Sequence, residues 1–350
     1  WDAEHHFPVD VIKKTADLGM GGIYVSEDAG GTGMGRMDAA LIFEAMSTGC
    51  PSVASYISIH NMVAWMIDKF GNDEQKTKYL QPLVSMEHLG SYCLTEPNAG
   101  SDAAALRTSA REDGGSYVLN GVKQFISGAG TSDTYLVMAR SGQEGARGIS
   151  AFILEKDMEG LSFGPNERKM GWRAQPTRQV IMENVRVPKE NLLGEPGQGF
   201  KIAMSGLDGG RLNIGACSLG GGQSALEKAV EYMGERQAFG TELSGFQALR
   251  FEVAQMQADL ESARSLLWRA ANAYDAGDPN TSLLSAMAKL KATDTGFEVA
   301  NRALQLHGGY GYLTEYGIEK LVRDLRVHQI LEGTNEIMRV IISRKSTGVG

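Results

Sequence analysis

Cysteine is scarce in this chain. Its 350 residues include three, Cys50, Cys93 and Cys217, widely spaced and never arranged as C-x-x-C. Neither a disulfide scaffold nor a zinc ribbon is expected, and a reducing compartment fits. The six histidines form no H-E-x-x-H, so no catalytic metal is expected. No apolar run approaches the roughly 20 residues of a membrane helix, and no membrane association is expected. An excess of positive charge is missing too. Lys and Arg number 34 against 42 Asp and Glu, a net charge of -8, which argues against a nucleic-acid partner. Basic residues do gather locally, at Arg323, Arg326, Arg339, Arg344 and Lys345. No P-loop occurs. A dinucleotide-like match, Gly220 to Ala225, has no strand before it and lies in a helical region, so it is set aside. The chain opens at Trp1, without methionine and within an apparent helix, so a processed or incomplete N terminus is expected, with any targeting peptide upstream.

The composition is that of an ordinary globular protein, 42% hydrophobic and 22% charged, long enough to bury a sizeable core. Residues 1–88 read as helical. Phe7-Pro8 starts one helix with Val9, Ile12, Ala16 and Leu18 on its apolar side. A second runs through Leu41, Ile42, Ala45 and Met46, and a third through Ile59, Met62, Val63, Met66 and Ile67. Asp73 is expected to cap a short helix after them. From 89 to 195 the pattern changes. Leu106–Ala110 and Tyr117–Leu119 flank Asp113-Gly114-Gly115, a hairpin signal. Thr134–Ala139, Ile149–Leu154, Arg178–Met182 and Val185–Val187 read as strands of an antiparallel, barrel-like domain. From 196 to 350 helical periodicity returns. Phe246, Leu249, Val253, Met256 and Leu260 make one stripe; Leu284, Met287, Leu290, Phe297, Ala300 and Leu304 make another. The expected fold is therefore a multi-domain α+β chain: an N-terminal helical domain, a middle β domain and a C-terminal domain of the four-helix-bundle type. It is not the alternation of a doubly wound nucleotide fold.

The segment from Gln305 to Arg344 organises the rest. Two glycine turns, Gly308-Gly309-Tyr310-Gly311 and Gly333-Thr334-Asn335, bracket a helix with a basic stripe, and Glu332 stands at that helix's exit. A carboxylate there faces the negative end of the helix dipole, and burial would raise its pKa further, toward that of a general base. The alternative is a surface glutamate beside a C-cap glycine. The stretch Tyr92 to Asp102, with Thr95 and Ser101 hydroxyls, suits a polar heteroaromatic ring or a phosphate, or forms an ordinary hydrogen-bonded loop. Phe125 to Gly130 sets an aromatic ring and the Ser127 hydroxyl in a glycine-rich turn. Arg236, followed by Phe239, Leu243 and Gln247, could pair with a phosphate or stand exposed at a helix end. Asp208-Gly209-Gly210-Arg211 reads as a break in a helix that grips a polar ligand or only kinks the helix.

Taken together, YCLTEPNAGSD, FISGAG, the RQAFG–Q segment, QLHGGYGY and HQILEGTNEIM resemble the acyl-CoA dehydrogenase family, in the family's order and over essentially the whole chain. Within it, ISIHNM, GWRAQPTR and RVHQILEG are most similar to the isobutyryl-CoA dehydrogenases. The resemblance implies FAD held between the β domain and the bundle, with Tyr92, Leu94, Thr95 and Ser101 in the flavin-contacting loop and Phe125 and Ser127 beside the ring. It assigns Arg236, Phe239 and Gln247 to the adenine-dinucleotide part across a dimer interface, Gln305, Gly308 and Gly309 to the pyrophosphate, and Thr334, Asn335 and Glu336 to a last cofactor segment. Ser101, Asp208, Arg211 and Arg344 match substrate-side positions.

Glu332 matches the catalytic base. Relatives that place the base elsewhere carry glutamate at the position of Gly210, and glycine cannot abstract a proton. Departures from the family pattern are Phe125 where many members have tryptophan, Glu336 where many have glutamine, and Asn98 where many have glycine; members also usually carry more helix before the equivalent of Trp1. The implied reaction is α,β-dehydrogenation of an acyl-CoA, with the α proton taken by Glu332, hydride passing to flavin N5, and the enolate-like oxygen held by the Glu332 N–H and a ribityl hydroxyl. The implied partners are electron-transfer flavoprotein and three further copies in a homotetramer. The implied place is the cytoplasm of a bacterium or the mitochondrial matrix of a eukaryote. Other expectations kept open are a short-chain or 2-methyl-branched specificity, an acyl-CoA oxidase, and a non-catalytic acyl-CoA-binding scaffold.

Overall fold

The computed structural model describes residues 1–348; the last two residues of the expected C-terminal domain, 349 and 350, lie outside it. The chain begins in turns rather than a helix, and α1 (Val9–Lys14) is a short helix. It gives way to a 3-10 turn, Thr15–Leu18, that leaves Leu18 in solvent rather than in the core. Helix α2 (Arg36–Gly49) starts where the Asp38 carboxylate accepts the Gly35 N–H at 3.0 Å, half of a capping box. Helix α3 (Pro51–Phe70) carries proline at its first turn and is buried on nearly every side, as expected of a helix apolar all round. Its buried Asn61 is satisfied by the chain before it. Asn61 accepts the Ile23 N–H at 2.7 Å and donates to Met20 O at 2.7 Å. The short helix α4 (Asp73–Gln75) is capped by Asn72, not Asp73: Asn72 and Gln75 exchange side-chain to backbone hydrogen bonds. Helix α5 (Gln81–Val84) closes the N-terminal region.

Eight strands follow: β1 (Gly90–Cys93), β2 (Ser109–Asp113), β3 (Ser116–Ser127), β4 (Thr134–Arg140), β5 (Ile149–Glu155), β6 (Leu161–Phe163), β7 (Thr177–Pro188) and β8 (Leu192–Leu193). They form one sheet in the order β6-β7-β3-β2-β4-β5-β8, with β1 added beside β4. Most pairings are antiparallel, as expected, but β1 and β2 each pair with β4 in parallel. The two stretches read as separate strands at Arg178–Met182 and Val185–Val187 are a single strand, β7. What divides them is an irregularity opposite Leu119–Gly121, where Asn184 takes a φ of 56° and its N–H bonds to the Asn120 side chain. Such a bulge breaks the alternation that marks a strand.

Helix α6 (Gly199–Glu235) runs 37 residues without a break. The break expected at Asp208-Gly209-Gly210-Arg211 is absent; the glycines there allow close packing. A small hairpin, β9 (Gln237–Ala238) and β10 (Thr241–Glu242), precedes α7 (Gln247–Asp275), α8 (Thr281–Leu306), α9 (Ile318–Arg326) and α10 (Asn335–Thr347). The N- and C-terminal helices share one apolar core. Phe43 of α2, Ile57 of α3, Leu212 of α6, Leu260 of α7 and Ala288 of α8 belong to the same buried cluster. A second cluster joins α3 and α6 to the sheet through Met62, Met66, Leu136, Ile153 and Ile202. Helix α6 is thus the common wall between the helices and the β domain.

Candidate active site

Glu332 lies between a 3-10 turn, Val327–Gln329, and the first turn of α10, with a φ of 57°. Its neighbour Gly333 takes 88°. Left-handed backbone costs a non-glycine residue about 1–3 kcal/mol and persists where surrounding structure imposes it. That structure is visible. Arg211 Nε of α6 donates to Glu332 O at 3.3 Å, and Lys289 Nζ of α8 donates to Gly333 O at 2.9 Å. Thr334 caps α10, its hydroxyl accepting the Ile337 N–H. Asn335 is buried, and its side-chain amide holds the turn through Lys289, Thr293 and Asp294.

The carboxylate points at α6. A Cβ placed on Gly210 would stand 2.5 Å from Glu332 Oε2. Oε2 is buried and has no hydrogen-bond partner. Burial pushes the Glu332 carboxyl up to about 7, against the opposing pull of the Arg211 and Lys289 cations. The helix-dipole cause expected from the sequence does not apply, because Glu332 stands at the start of α10 rather than on a helix C-terminus; desolvation is the cause. The hydroxyl of Tyr92, on β1, is likewise buried without a partner and feels the Glu332 charge. Two orphaned polar atoms, one acidic and one phenolic, therefore face one spot beside a helix that has a glycine there.

Arg211 itself is buried and pairs with Asp208 at 2.6 Å, and Asp208 also accepts from Ser282. One residue back, a Cβ on Gly209 would meet the Arg36 guanidinium at 2.7 Å. Arg36 is buried in a cage of Tyr24, Trp65 and Tyr274 rings. The two glycines therefore accept side chains from α2 and from the Glu332 turn.

The segment Tyr92–Thr95 runs from β1 toward the end of β3. Leu94 O accepts from Lys123 Nζ at 3.1 Å, and Thr95 O from the Gln124 N–H at 2.8 Å. This sets Thr95 against Gln124, the residue before Phe125. Phe125 has a φ of 59° and is 63% exposed, an aromatic ring offered to the outside of the sheet. Lys123 is fully buried and paired with Glu96 at 2.8 Å. Ser101, in the turn beyond, is exposed.

Seven of the remaining expected residues line two cavities. One, of about 630 Å³, is lined by Arg236, Gln305, Gly308 and Gly309 together with Tyr232, His307 and Tyr310. The other, of about 230 Å³, gathers Thr334, Asn335 and Glu336 with Arg326 and Arg339. Phe239 is 98% exposed at the tip of the β9–β10 hairpin with a φ of 54°, and Gln247 is exposed at the start of α7; neither lines these cavities. Arg344 is exposed on α10, ten residues past Thr334 and so roughly 15 Å along the axis. The structure does not bring it to Glu332. Lys289 and the Lys123–Glu96 pair went unnoticed in the sequence. The signal for Lys289 was a lysine in line with Ser285, Ala292 and Gly296 on a small-residue face of α8. Among the described residues no group of three or more His, Cys, Asp or Glu could hold a metal, and no helix is long and apolar enough to cross a membrane.

Family models match the chain end to end: the acyl-CoA dehydrogenase N-terminal domain over residues 1–87, the middle domain over 91–185 and the C-terminal domain over 197–347. The chain belongs to the acyl-CoA dehydrogenase family. It is 54% identical over 346 residues to the mitochondrial isobutyryl-CoA dehydrogenase of Dictyostelium discoideum, covering 99% of this chain and 83% of that one. To the mitochondrial isobutyryl-CoA dehydrogenase of Bos taurus it is 51% identical over 344 residues, covering 98% and 83%. A solved structure described as the electron transferring flavoprotein of Acidaminococcus fermentans contains a chain that matches with a TM-score of 0.96 at 43% identity, covering 99% of this chain and 91% of that one. Acyl-CoA dehydrogenases depend on FAD, and the residues of this one fit such a group. Thr95 lies against the strand end that carries the exposed Phe125 ring, polar atoms of Tyr92 and Glu332 stay unpaired, and Gly308 and Gly309 open into a cavity, with no atom within 4 Å of a Cβ built on either.

Proposed function

We propose that this acyl-CoA dehydrogenase oxidises the Cα–Cβ bond of a short, branched acyl-CoA thioester, isobutyryl-CoA to methacrylyl-CoA, with Glu332 as the base. The observation that carries this is the Glu332 carboxylate itself. It is buried, its Oε2 is unpaired, it faces Gly210, and its pKa is raised to about 7. A base tuned near the working pH is charged often enough to act and basic enough to take the weakly acidic α proton. The protein's other groups hold the geometry. Arg211 and Lys289 fix the turn, and Tyr92 and Gly210 leave room at the carboxylate. Bound FAD would supply the hydride acceptor for the β hydrogen.

In this reading Tyr92, Leu94, Thr95, Ser101, Phe125 and Ser127 hold the flavin ring. Arg236, Phe239, Gln247, Gln305, Gly308, Gly309, Thr334, Asn335 and Glu336 hold the rest of the cofactor. The exposure of Phe239 and Gln247, outside both cavities, favours their reaching the cofactor of a second copy, within a homotetramer. Ser101, Asp208, Arg211 and Arg344 serve the substrate side. The three domains span 1–88, 89–195 and 196–350, electrons leave to electron-transfer flavoprotein, and the enzyme works in the mitochondrial matrix or the bacterial cytoplasm. The test is an anaerobic titration of the purified protein. Bleaching of its flavin band by isobutyryl-CoA, stronger than by butyryl-CoA or 2-methylbutyryl-CoA, is expected. Bleaching by a different thioester alone moves the substrate. A colourless protein that releases no flavin on denaturation sinks the enzymatic reading.

A further inference from the structure

We propose that Lys289 is a positioning residue for the base: its buried ammonium clamps the strained turn that carries Glu332 and holds the carboxylate toward its charged form. This rests on Glu332 being the base. Lys289 is fully buried, yet it is in no ion pair among the described residues. Lysine is almost never buried unless paired, so its place needs a reason. Its Nζ donates to Gly333 O at 2.9 Å and to Asn335 Oδ1 at 2.7 Å. These acceptors sit on either side of Thr334, directly after Glu332 and Gly333 with their left-handed φ angles of 57° and 88°. One ammonium thus pins a turn that would otherwise relax toward ordinary backbone.

Charge gives the second half. The groups facing Glu332 are Arg211 from α6, Lys289 from α8 and the Tyr92 phenol from β1. Arg211 is already committed to Asp208. The other acids near Lys289 are also engaged: Asp294 accepts from Asn335 and Gln329 and pairs with Arg339, while Glu336 is exposed beside Arg339. Lys289 is the nearby cation with no acid of its own, and Glu332 is the acid with no hydrogen bond at Oε2. Burial raises the Glu332 pKa and lowers that of Lys289 to about 7, and each charge opposes the shift of the other, so the two groups hold each other ionised. Removing the Lys289 charge should let the Glu332 pKa rise further.

The experiment measures kcat/KM against pH for the holoenzyme and for Lys289→Met, which fills the volume without a charge or a donor, and Lys289→Arg. In Lys289→Met the acid limb is expected to move up by about one pH unit, with a roughly tenfold lower rate below the limb. Lys289→Arg keeps the midpoint within a few tenths of a unit. If the methionine variant does not fold, Lys289→Gln, which keeps one donor and no charge, is read the same way. Variants that lose thermal stability or flavin while the midpoint stays put would show a merely structural lysine and overturn the proposal. Glu332→Gln in the same assay separates the two readings. If that variant still reduces its flavin, the base assignment fails. If it is inactive and the Lys289→Met limb has not moved, only the role of Lys289 fails.

Discussion

Gly210 and Glu332 are fitted to each other: the carboxylate of the one occupies the space where the other would carry a side chain, 2.5 Å from a Cβ that is not there. Gly210→Ala tests that fit and has two opposed effects. Alanine is about 1 kcal/mol better than glycine within a helix, and Gly210 lies mid-way along α6. The obstacle is the far end of a flexible side chain, which can swing aside. The variant is expected to melt no lower than the parent while the rate of flavin reduction falls by about 10-fold or more, because a base displaced by an ångström loses its alignment. Thermal melting and single-turnover reduction read the two effects separately. An unchanged rate would mean that the carboxylate works from another position.

The raised pKa of Glu332 makes a prediction about stability as well as rate. In the unfolded chain the group titrates at its ordinary value of 4.5, in the folded one at about 7. Between those values the native state keeps a proton that the unfolded chain has lost. The stabilisation is therefore full below about 4.5 and is lost as pH rises to about 7, by up to about 3 kcal/mol. Glu332→Gln removes that loss. Its melting temperature should exceed the parent's at pH 8 by more than it does near pH 5, while its rate of flavin reduction falls by about 10³-fold. A melting difference that is the same at both pH values would show that Oε2 is not desolvated as described.

Much of this could be read without coordinates, for reasons that are local. Helices α2, α3, α7 and α8 announce themselves by apolar spacing, and the β2–β3 hairpin by Asp113-Gly114-Gly115 at its turn. What was misread depends on partners far away in sequence. The glycines at 209 and 210 read as a break because nothing nearby says that Arg36 and Glu332 press into the helix there. Strand β1 does not stand out, since four residues beside a turn-rich motif carry little periodicity and its partner β4 begins some forty residues later. Glu332 could be found by motif, but the cause of its raised pKa could not: burial is imposed by α6 and α8. Lys289 carries no local mark except that a lysine stands on a buried face.

His60 sets a limit on acid stability close to the site. Its Nδ1 accepts the Gly90 N–H at 3.1 Å, so Nε2 carries the proton and donates to Leu83 O at 2.9 Å. Burial lowers its pKa to about 4 from 6.5. As pH falls below 6.5 the unfolded chain takes up a proton that the native state refuses until about 4, so stability present above 6.5 is lost through that window, by up to about 3 kcal/mol. Protonation of Nδ1 also removes the acceptor at Gly90, the first residue of β1. His60→Gln should be less stable than the parent at pH 8 yet lose less between pH 6.5 and 5. Melting curves across that range decide it; parallel curves would show that His60 is not the group responsible.

The pair Lys123–Glu96 stands behind the segment proposed to hold the flavin, so its removal tests that segment. Lys123 is fully buried and Glu96 nearly so; Lys123 also donates to Leu94 O, while Glu96 accepts the Arg107 and Thr108 N–H groups. Lys123→Met leaves Glu96 with its two backbone donors but no cation, and removing one partner of a buried pair typically costs about 3–5 kcal/mol. It also frees Leu94 O, next to Thr95. Glu96→Gln removes the negative charge but keeps an acceptor for one backbone N–H, and leaves the lysine with Leu94 O. Lys123→Met is therefore expected to lose both stability and flavin retention, measured by the ratio of flavin to protein absorbance. The double variant Lys123→Met/Glu96→Gln should recover stability more fully than flavin retention, since it removes the stranded charge but not the freed Leu94 carbonyl. Equal recovery of both would mean that Lys123 stabilises the sheet without shaping the segment that carries Thr95.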